Sequence, residues 1–302
     1  MIDRMNYVQT AARVKVEEKK LLNMAKLNRM IDSEDAKDIL KILSETDYSK
    51  SMVGVSTEQD FYKILQNESK KVYALAEELV KDCTDCVKIL ELKNIFQNLK
   101  FTLKKSIKEK TNPEISDEYL EEYILASKEY EKTNDVQLAM ILLDRLYFKK
   151  LKTLCDKINL GILNEYYTLA LKSYNLLTFL RLKNQKRTYK YAQNCLIDDE
   201  NLLKIYNEES NYIQTLEKYF EDKHLWATYA KTKSIASIEK ELDNLNVKLI
   251  KKYKNVNYGI EPVVTYVLAK EYEMKAIRLI ITGKINKIPN DVIKERLREI
   301  YV

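Results

Sequence analysis

A chain of 302 residues with four glycines and three prolines has almost no means of turning tightly. Usual usage would supply about 21 glycines and 15 prolines. A sheet-rich fold needs turn residues between each pair of short strands, so this scarcity excludes one. Lys, Glu, Leu, Ile and Asn fill the chain instead, and most of them tolerate helix interiors well. The chain is therefore predicted to be all-α. Its length is enough for two or three compact units.

Helix punctuation and apolar stripes agree with that class. Ser33 precedes Glu34 and Asp35, after which Ala36, Ile39, Leu40 and Leu43 share one face. This predicts an N-cap at Ser33, an acidic first turn and a buried stripe. Ser116-Asp117-Glu118 opens another segment just after Pro113, and Pro289-Asn290-Asp291 opens the last, with Ile293, Leu297, Ile300 and Tyr301 on its apolar face. Val136, Met140, Leu143, Tyr147 and Leu151 form one more stripe. Each stripe needs a partner surface, so the helices must pack as an array.

Charge and hydropathy limit the possible partners. Lys plus Arg number 52 and Asp plus Glu 46, a formal excess of +6. A nucleic-acid binder gathers its basic residues on one face; here they mix with acids along nearly every segment. The short basic clusters Lys104-Lys105, Lys149-Lys150-Lys152, Lys183-Lys186-Arg187-Lys190 and Lys251-Lys252-Lys254 read as solvated faces and helix ends. No run approaches the roughly 18 apolar residues of a membrane span. The most apolar short stretch, Ile277 to Ile281, is interrupted by Arg278. Asp3, Arg4 and Asn6 stand where a signal peptide would be apolar. The expectation is a cytosolic protein, or one peripheral to a cytosolic membrane face.

No catalytic constellation emerges. The chain holds neither a GxxxxGK[ST] phosphate loop nor a GxGxxG turn, and four isolated glycines cannot build a phosphate cradle. With a single histidine, His224, an HExxH zinc site is excluded and a His-based triad disfavoured; beside Leu225 and Trp226, His224 reads as a packed amphipathic side chain. Cys83-Thr-Asp-Cys86 has the CxxC spacing of zinc and redox sites. A structural zinc site needs four ligands, usually from two such pairs, and only Cys155, Cys195 and His224 remain. Reduced thiols are expected. Tyr166-Tyr167, Tyr189, Tyr191 and Tyr229, among 22 tyrosines, suit helix–helix packing better than base stacking. Catalytic, cofactor and metal residues are therefore expected to be none, and interface residues are not identified.

The chain also resembles itself. Residues 133–182 align with 232–280: at an offset of 99, Thr133 falls on Thr232, Leu143-Asp144 on Leu242-Asp243 and Leu146 on Leu245. One residue is then lost, and at an offset of 98 Gly161-Ile162 falls on Gly259-Ile260, Lys172 on Lys270, Tyr174 on Tyr272, Leu176 on Met274 and Phe179 on Ile277. Both copies read as helix, glycine-containing break, long helix. Asn98-Leu99-Lys100 corresponds to Asn175-Leu176-Leu177 in a third, more divergent copy. Three helical repeats are expected, at residues 1–110, 111–208 and 209–302.

Several stretches, read in order, resemble one family. The C-terminal run Glu261-Pro-Val-Val-Thr-Tyr266-Val-Leu-Ala-Lys270-Glu-Tyr-Glu273-Met-Lys-Ala-Ile-Arg278 continues through Gly283 and Ile293-Lys-Glu-Arg-Leu297 to Tyr301-Val302. It is similar to the closing segment of the C subunits of archaeal/vacuolar-type (A/V-type) rotary ATPases, whose counterpart in the eukaryotic vacuolar enzyme is the d subunit. Ala12-Arg-Val14-Lys-Val-Glu-Glu-Lys-Lys-Leu21-Leu resembles that family's opening helix, and Leu40 to Leu43 with Glu45-Thr-Asp-Tyr48 its next. Leu143-Asp-Arg-Leu-Tyr-Phe148 resembles its central helix, and Asn98-Leu-Lys100 its Asn-hydrophobic-Lys element. Residues 183–230 and the non-acidic stretch Leu92 to Gln97 depart from the pattern. The resemblance implies three similar helical domains arranged as a funnel. One side would receive the central-stalk shaft, and the other would sit on the membrane rotor ring of ion-carrying subunits. It implies a non-catalytic component that transmits torque for proton or sodium transport at the cytoplasmic face. A helical-repeat scaffold of another cytosolic complex is the alternative from the residues alone, followed by an all-α enzyme or nucleic-acid binder.

Overall fold

A computed structural model describes residues 4–55, 57–207 and 212–302. Among the described residues there are fifteen α-helices and no strand. In chain order these are α1 (Val8–Glu18), α2 (Met24–Asp32), α3 (Ala36–Ser44), α4 (Phe61–Leu79), α5 (Thr84–Glu109), α6 (Leu120–Thr133), α7 (Val136–Ile158), α8 (Gly161–Asn184), α9 (Tyr189–Cys195), α10 (Glu200–Asn207), α11 (Tyr212–Tyr219), α12 (Lys223–Thr232), α13 (Ile235–Lys252), α14 (Glu261–Ile285) and α15 (Asn290–Arg296). They fall into two compact units, residues 1–90 with 240–302 and residues 91–239. The division lies inside α5 and inside α13.

Unit 1 is organised around α14. Its residues are apolar on almost every side, and Val263 to Ala269, Ala276, Ile277, Ile280 and Ile281 are all buried. A helix apolar all round must be covered all round. Helices α1, α2, α3, α4 and α15 pack against it or against one another, and Leu27, Met30, Ile31, Ile39, Leu43, Ile64 and Ile293 complete the core. Near the end of α14 the helices approach closely. A Cβ on Gly283 would lie 2.6 Å from Ile293 Cδ1, so glycine is what admits α15 there.

Unit 2 packs α6 on α7, α7 on α8, and α8 on α9 and α10. A chain of aromatic contacts runs through it: Phe96 meets Tyr119 and Tyr147, Tyr147 meets Phe148, and Phe148 meets Tyr174, with ring centroids 4.8–6.1 Å apart. Offset and edge contacts of this kind add about 0.5–1.5 kcal/mol each beyond burial. The predicted stripe on α7 is largely inside, with Met140, Leu143, Tyr147 and Leu151 buried.

One helix start and one helix end differ from the sequence reading. The N-cap of α3 is Asp35, whose carboxylate accepts from the Lys37 and Asp38 amides at 2.8 and 3.0 Å. Ser33 instead closes α2, donating to Met30 O at 2.7 Å. A carboxylate at Asp35 satisfies two N–H groups, where the Ser33 hydroxyl would have satisfied one. The last helix ends at Arg296, yet Leu297, Ile300 and Tyr301 are still buried beyond it.

The residues aligned at an offset of 99 share a local device. Helix α6 ends with Asn134 left-handed at φ 51°, its N–H on Tyr130 O; α12 ends with Lys233 at φ 50°, its N–H on Tyr229 O. Before each cap a threonine donates to the carbonyl four residues back, Thr133 to Glu129 and Thr232 to Thr228. The same hydroxyls accept from Asp135 N and Ser234 N. The glycines of the alignment differ. Gly161 is the first residue of α8, following left-handed Asn159 (φ 51°), whereas Gly259 itself takes φ 82°.

Candidate functional site: polar clamps on the long helices

Tyr266, Lys270, Glu273 and Ile277 stand at helical spacing on one face of α14. That face is covered, so two charged side chains enter the core with it. Lys270 is 1% exposed, Glu273 3%, and Glu68 of α4 0%. The Lys270 ammonium lies 2.8 Å from Glu273 Oε1 and 2.8 Å from Glu68 Oε1. It also stands 4.1 Å over the ring of fully buried Tyr48. Removing an ammonium from water costs several kcal/mol, and here two carboxylates and a ring face offset that cost. Burial by itself would lower the Lys270 ammonium; the charges of Glu273 and Glu68 outweigh it and hold the group above the ordinary lysine range.

Glu273 does more than neutralise Lys270. Its Oε1 accepts from Tyr48 OH at 2.8 Å, and its Oε2 accepts from the backbone N–H of Leu22. Glu68 Oε2 accepts from Ser51 Oγ at 2.6 Å and pairs with Lys71 at 3.4 Å, and Lys71 also pairs with Asp47. Burial raises the Tyr48 phenol well above its usual range, with Glu273 and Glu68 adding to it, so Tyr48 stays a neutral donor. The cluster thus ties α14, α4, the 3-10 turn Asp47–Ser51 and the α1–α2 link to one another.

Unit 2 holds a neutral version of this clamp. Asn175, 1% exposed on α8, donates to Ile197 O at 2.8 Å and accepts from Ile197 N at 2.9 Å. Asn175 is the counterpart of Glu273 at the repeat offset of 98. Ile197 lies in the link between α9 and α10 as Leu22 lies between α1 and α2. Beyond the two links, buried Leu202 and Ile205 of α10 match buried Leu27 and Met30 of α2. Helices α1–α3 therefore stand to α14 as α9–α11 stand to α8. The aligned aspartates also match in role. Asp144 pairs with Lys100 and is bonded to Tyr174; burial raises its carboxyl, opposed by Lys100 and Tyr174. Asp243 pairs with Lys275 at 3.2 Å and Arg298 at 3.1 Å.

Other residues singled out in the sequence are dispersed. His224 is exposed, while its neighbours Leu225 and Trp226 are buried, so the expectation of a packed histidine is corrected: its position on α12 faces outward. Asn98 is exposed on α5, so it does not share the buried role of Asn175. Tyr166 and Tyr229 are buried and Tyr189 is exposed. Lys104, Lys105, Lys149, Lys152, Lys186, Arg187 and Lys190 are exposed. Among the described residues no three His, Cys, Asp or Glu side chains converge as metal ligands would, and no helix is long and apolar enough to cross a membrane. Sequence reasoning missed the clamps. Their signal was a lysine and a glutamate inside a segment otherwise apolar on every side.

The fold and its clamps define an all-helical protein whose buried polar groups fasten helices to links. The chain belongs to the family of ATP synthase (C/AC39) subunits, whose model matches residues 10–127 and 117–296. It is 24% identical to the A-type ATP synthase C subunit of Methanocaldococcus jannaschii, over 98% of this chain and 87% of that one. It is 21% identical to the V-type sodium ATPase C subunit of Enterococcus hirae, over 98% of this chain and 99% of that one. The A-type ATP synthase C subunit of Methanococcoides burtonii is 26% identical over 58% of this chain and 52% of its own length.

Proposed function

We propose that this protein is a non-catalytic central-stalk subunit of a V/A-type rotary ATPase, held at the cytoplasmic face of the membrane. In this reading it links the rotor shaft to the membrane ring and transmits torque between ATP chemistry and ion movement. The observation that carries it is the match to C-subunit relatives along almost the whole chain. A torque-bearing piece must resist shear between its helices. Buried, directional polar contacts such as Lys270 with Glu68 and Glu273, or Asn175 with Ile197, fix helix register more sharply than apolar contact alone. We propose that the clamped long helices α8 and α14, each with the short helices it grips, share this load.

The test is purification of the tagged chain from solubilised membranes of its own host, with quantitative mass spectrometry. Catalytic, shaft and ring subunits of one rotary ATPase should co-purify at fixed ratios. Recovery with a different complex, or without any ATPase component, would refute the assignment. A second arm asks where the contacts lie. We place them on helix ends and loops, so reversing exposed Lys186 and Arg187 should uncouple ATP hydrolysis from ion pumping and leave the fold intact. Unchanged coupling and assembly would exclude that loop.

A further inference from the structure

Cys83-Thr-Asp-Cys86 is used neither by the clamps nor by the proposed coupling role. Cys83 ends a 3-10 turn, Lys81–Cys83, and α5 starts at the next residue, so Cys86 lies in its first turn. All four cysteines are thiols. The sulfurs of Cys83 and Cys86 stand 2.7 Å apart. Such an approach requires the two Cβ vectors to converge, and residues three apart on a helix turn already have the roughly 4.4–6.8 Å Cα separation that a disulfide spans. Cys83 is partly exposed, whereas Cys86 is 1% exposed. Cys83 is therefore the more accessible of the pair, with the buried Cys86 within reach of its sulfur. This is the arrangement of an attacking and a resolving thiol.

The other two cysteines supply the contrast. Cys155 and Cys195 are each 1% exposed. Burial pushes their thiols up to about 12 and about 11, so the reactive thiolate is scarce at neutral pH. Among the described residues no partner thiol lies against either, and Cys155 Sγ instead faces Leu163 O at 3.6 Å. Tyr7 lies near Asp82 and both cysteines, and Asp85 and Lys88 stand beside Cys86 on the opening turns of α5.

We propose that Cys83 and Cys86 form a redox-active dithiol, a modification site that closes to an intramolecular disulfide when offered a neutral small-molecule disulfide. Cys83 loses its proton to solvent, and its thiolate attacks one sulfur of RSSR. The RS–SR bond breaks, and RS⁻ leaves and takes up a proton. The Cys86 thiolate, its own proton also lost to solvent, then attacks the Cys83 sulfur. The mixed disulfide breaks, and a second RS⁻ leaves and is protonated. Two protein thiols are oxidised by two electrons to one disulfide, and RSSR is reduced to two RSH. The closed ring staples the turn at Cys83 to the first turn of α5.

The experiment treats the full chain with hydroxyethyl disulfide at neutral pH, then denatures it, alkylates with iodoacetamide, and maps the sites by intact and peptide mass. Wild type should lose two hydrogens, carry alkyl groups only at Cys155 and Cys195, and yield a linked Cys83–Cys86 peptide. Cys86→Ser should trap one mercaptoethanol adduct on Cys83, whereas Cys83→Ser should stay unmodified because Cys86 is shielded. Far-UV circular dichroism checks that each variant folds; if Cys86→Ser does not, the linked wild-type peptide and the inert Cys83→Ser chain decide the matter. Four alkylatable thiols in oxidant-treated wild type, earlier reaction at Cys155 or Cys195, or equal adduct formation on both variants would each overturn the proposal.

Discussion

Replacing Lys270 by methionine keeps most of the side chain's volume and removes its charge. The change leaves Glu68 and Glu273, 0% and 3% exposed, without the ammonium that stands 2.8 Å from each. Breaking a buried ion pair by deleting one partner costs about 3–5 kcal/mol, because the remaining charge has no compensation. Unit 1 comprises about 150 residues, for which each kcal/mol moves the thermal midpoint by about 3 °C. Lys270→Met should therefore lower the midpoint of that unit by about 10–15 °C. Far-UV circular dichroism follows both units, while the sole tryptophan, Trp226, lies in unit 2 and reports there. Adding Glu68→Gln and Glu273→Gln should recover most of the loss by removing the stranded charge. A Lys270→Met chain within about 1 kcal/mol of wild type at neutral pH, measured by urea unfolding, would refute the idea that this ammonium holds the cluster together.

Three other outcomes are expected. Asn175→Ala strands the buried N–H and C=O of Ile197; at about 1–3 kcal/mol for each unsatisfied group, urea unfolding should show a loss of about 2–6 kcal/mol, with faster hydrogen exchange at the Ile197 amide. Tyr272→Ala removes a 7%-exposed aromatic ring and should cost about 3–5 kcal/mol in the same assay. Burial would raise the Asp47 carboxyl, but Lys71 and Lys50 outweigh it and hold it below the ordinary range. Its contribution is then present above the unfolded value near 4 and disappears as pH falls through the lower folded value. Asp47→Asn should accordingly flatten the acid side of the stability–pH profile.

The helical class was legible because turn residues are scarce, and the stripes of α3 and α7 because apolar residues recur at helical spacing. The charged clamp was harder to see. Lys270 and Glu273 look like the solvent side of an amphipathic helix, and a charged residue in sequence usually marks one. Their neighbours argued otherwise: Val263, Val264, Val267, Leu268, Ile277 and Ile280 are distributed around α14 and leave no polar face. His224 went the other way, because Leu225 and Trp226, which follow it in sequence, lie on other sides of the helix. Burial of Asn175 and exposure of Asn98 lay beyond any local signal. Each depends on which link packs over that turn of helix, and such contacts are far apart in the chain.

The separations at the two clamps bear on how the chain assembles around each long helix. Asn175 grips a link only 22 residues further on, whereas Glu273 grips one 251 residues back. If α14 followed the pattern of α8, the short helices it clamps would come next in the chain, after residue 285. Instead that place is taken by α1–α3, with Leu22 where Ile197 would be and Leu27 and Met30 where Leu202 and Ile205 would be. The opening helices thus complete the unit built on the closing long helix. Tyr301 OH on Glu18 Oε1 at 2.8 Å, Lys294 on Asp32 at 2.8 Å and Lys284 on Ser33 O at 2.5 Å reinforce the join. This join is made across 251 residues of chain, whereas a short connection links α8 to α9. This gives a physical reason for the difference between the clamps: a neutral amide suffices where the chain itself keeps the parts together, and a buried charged cluster stands where it does not.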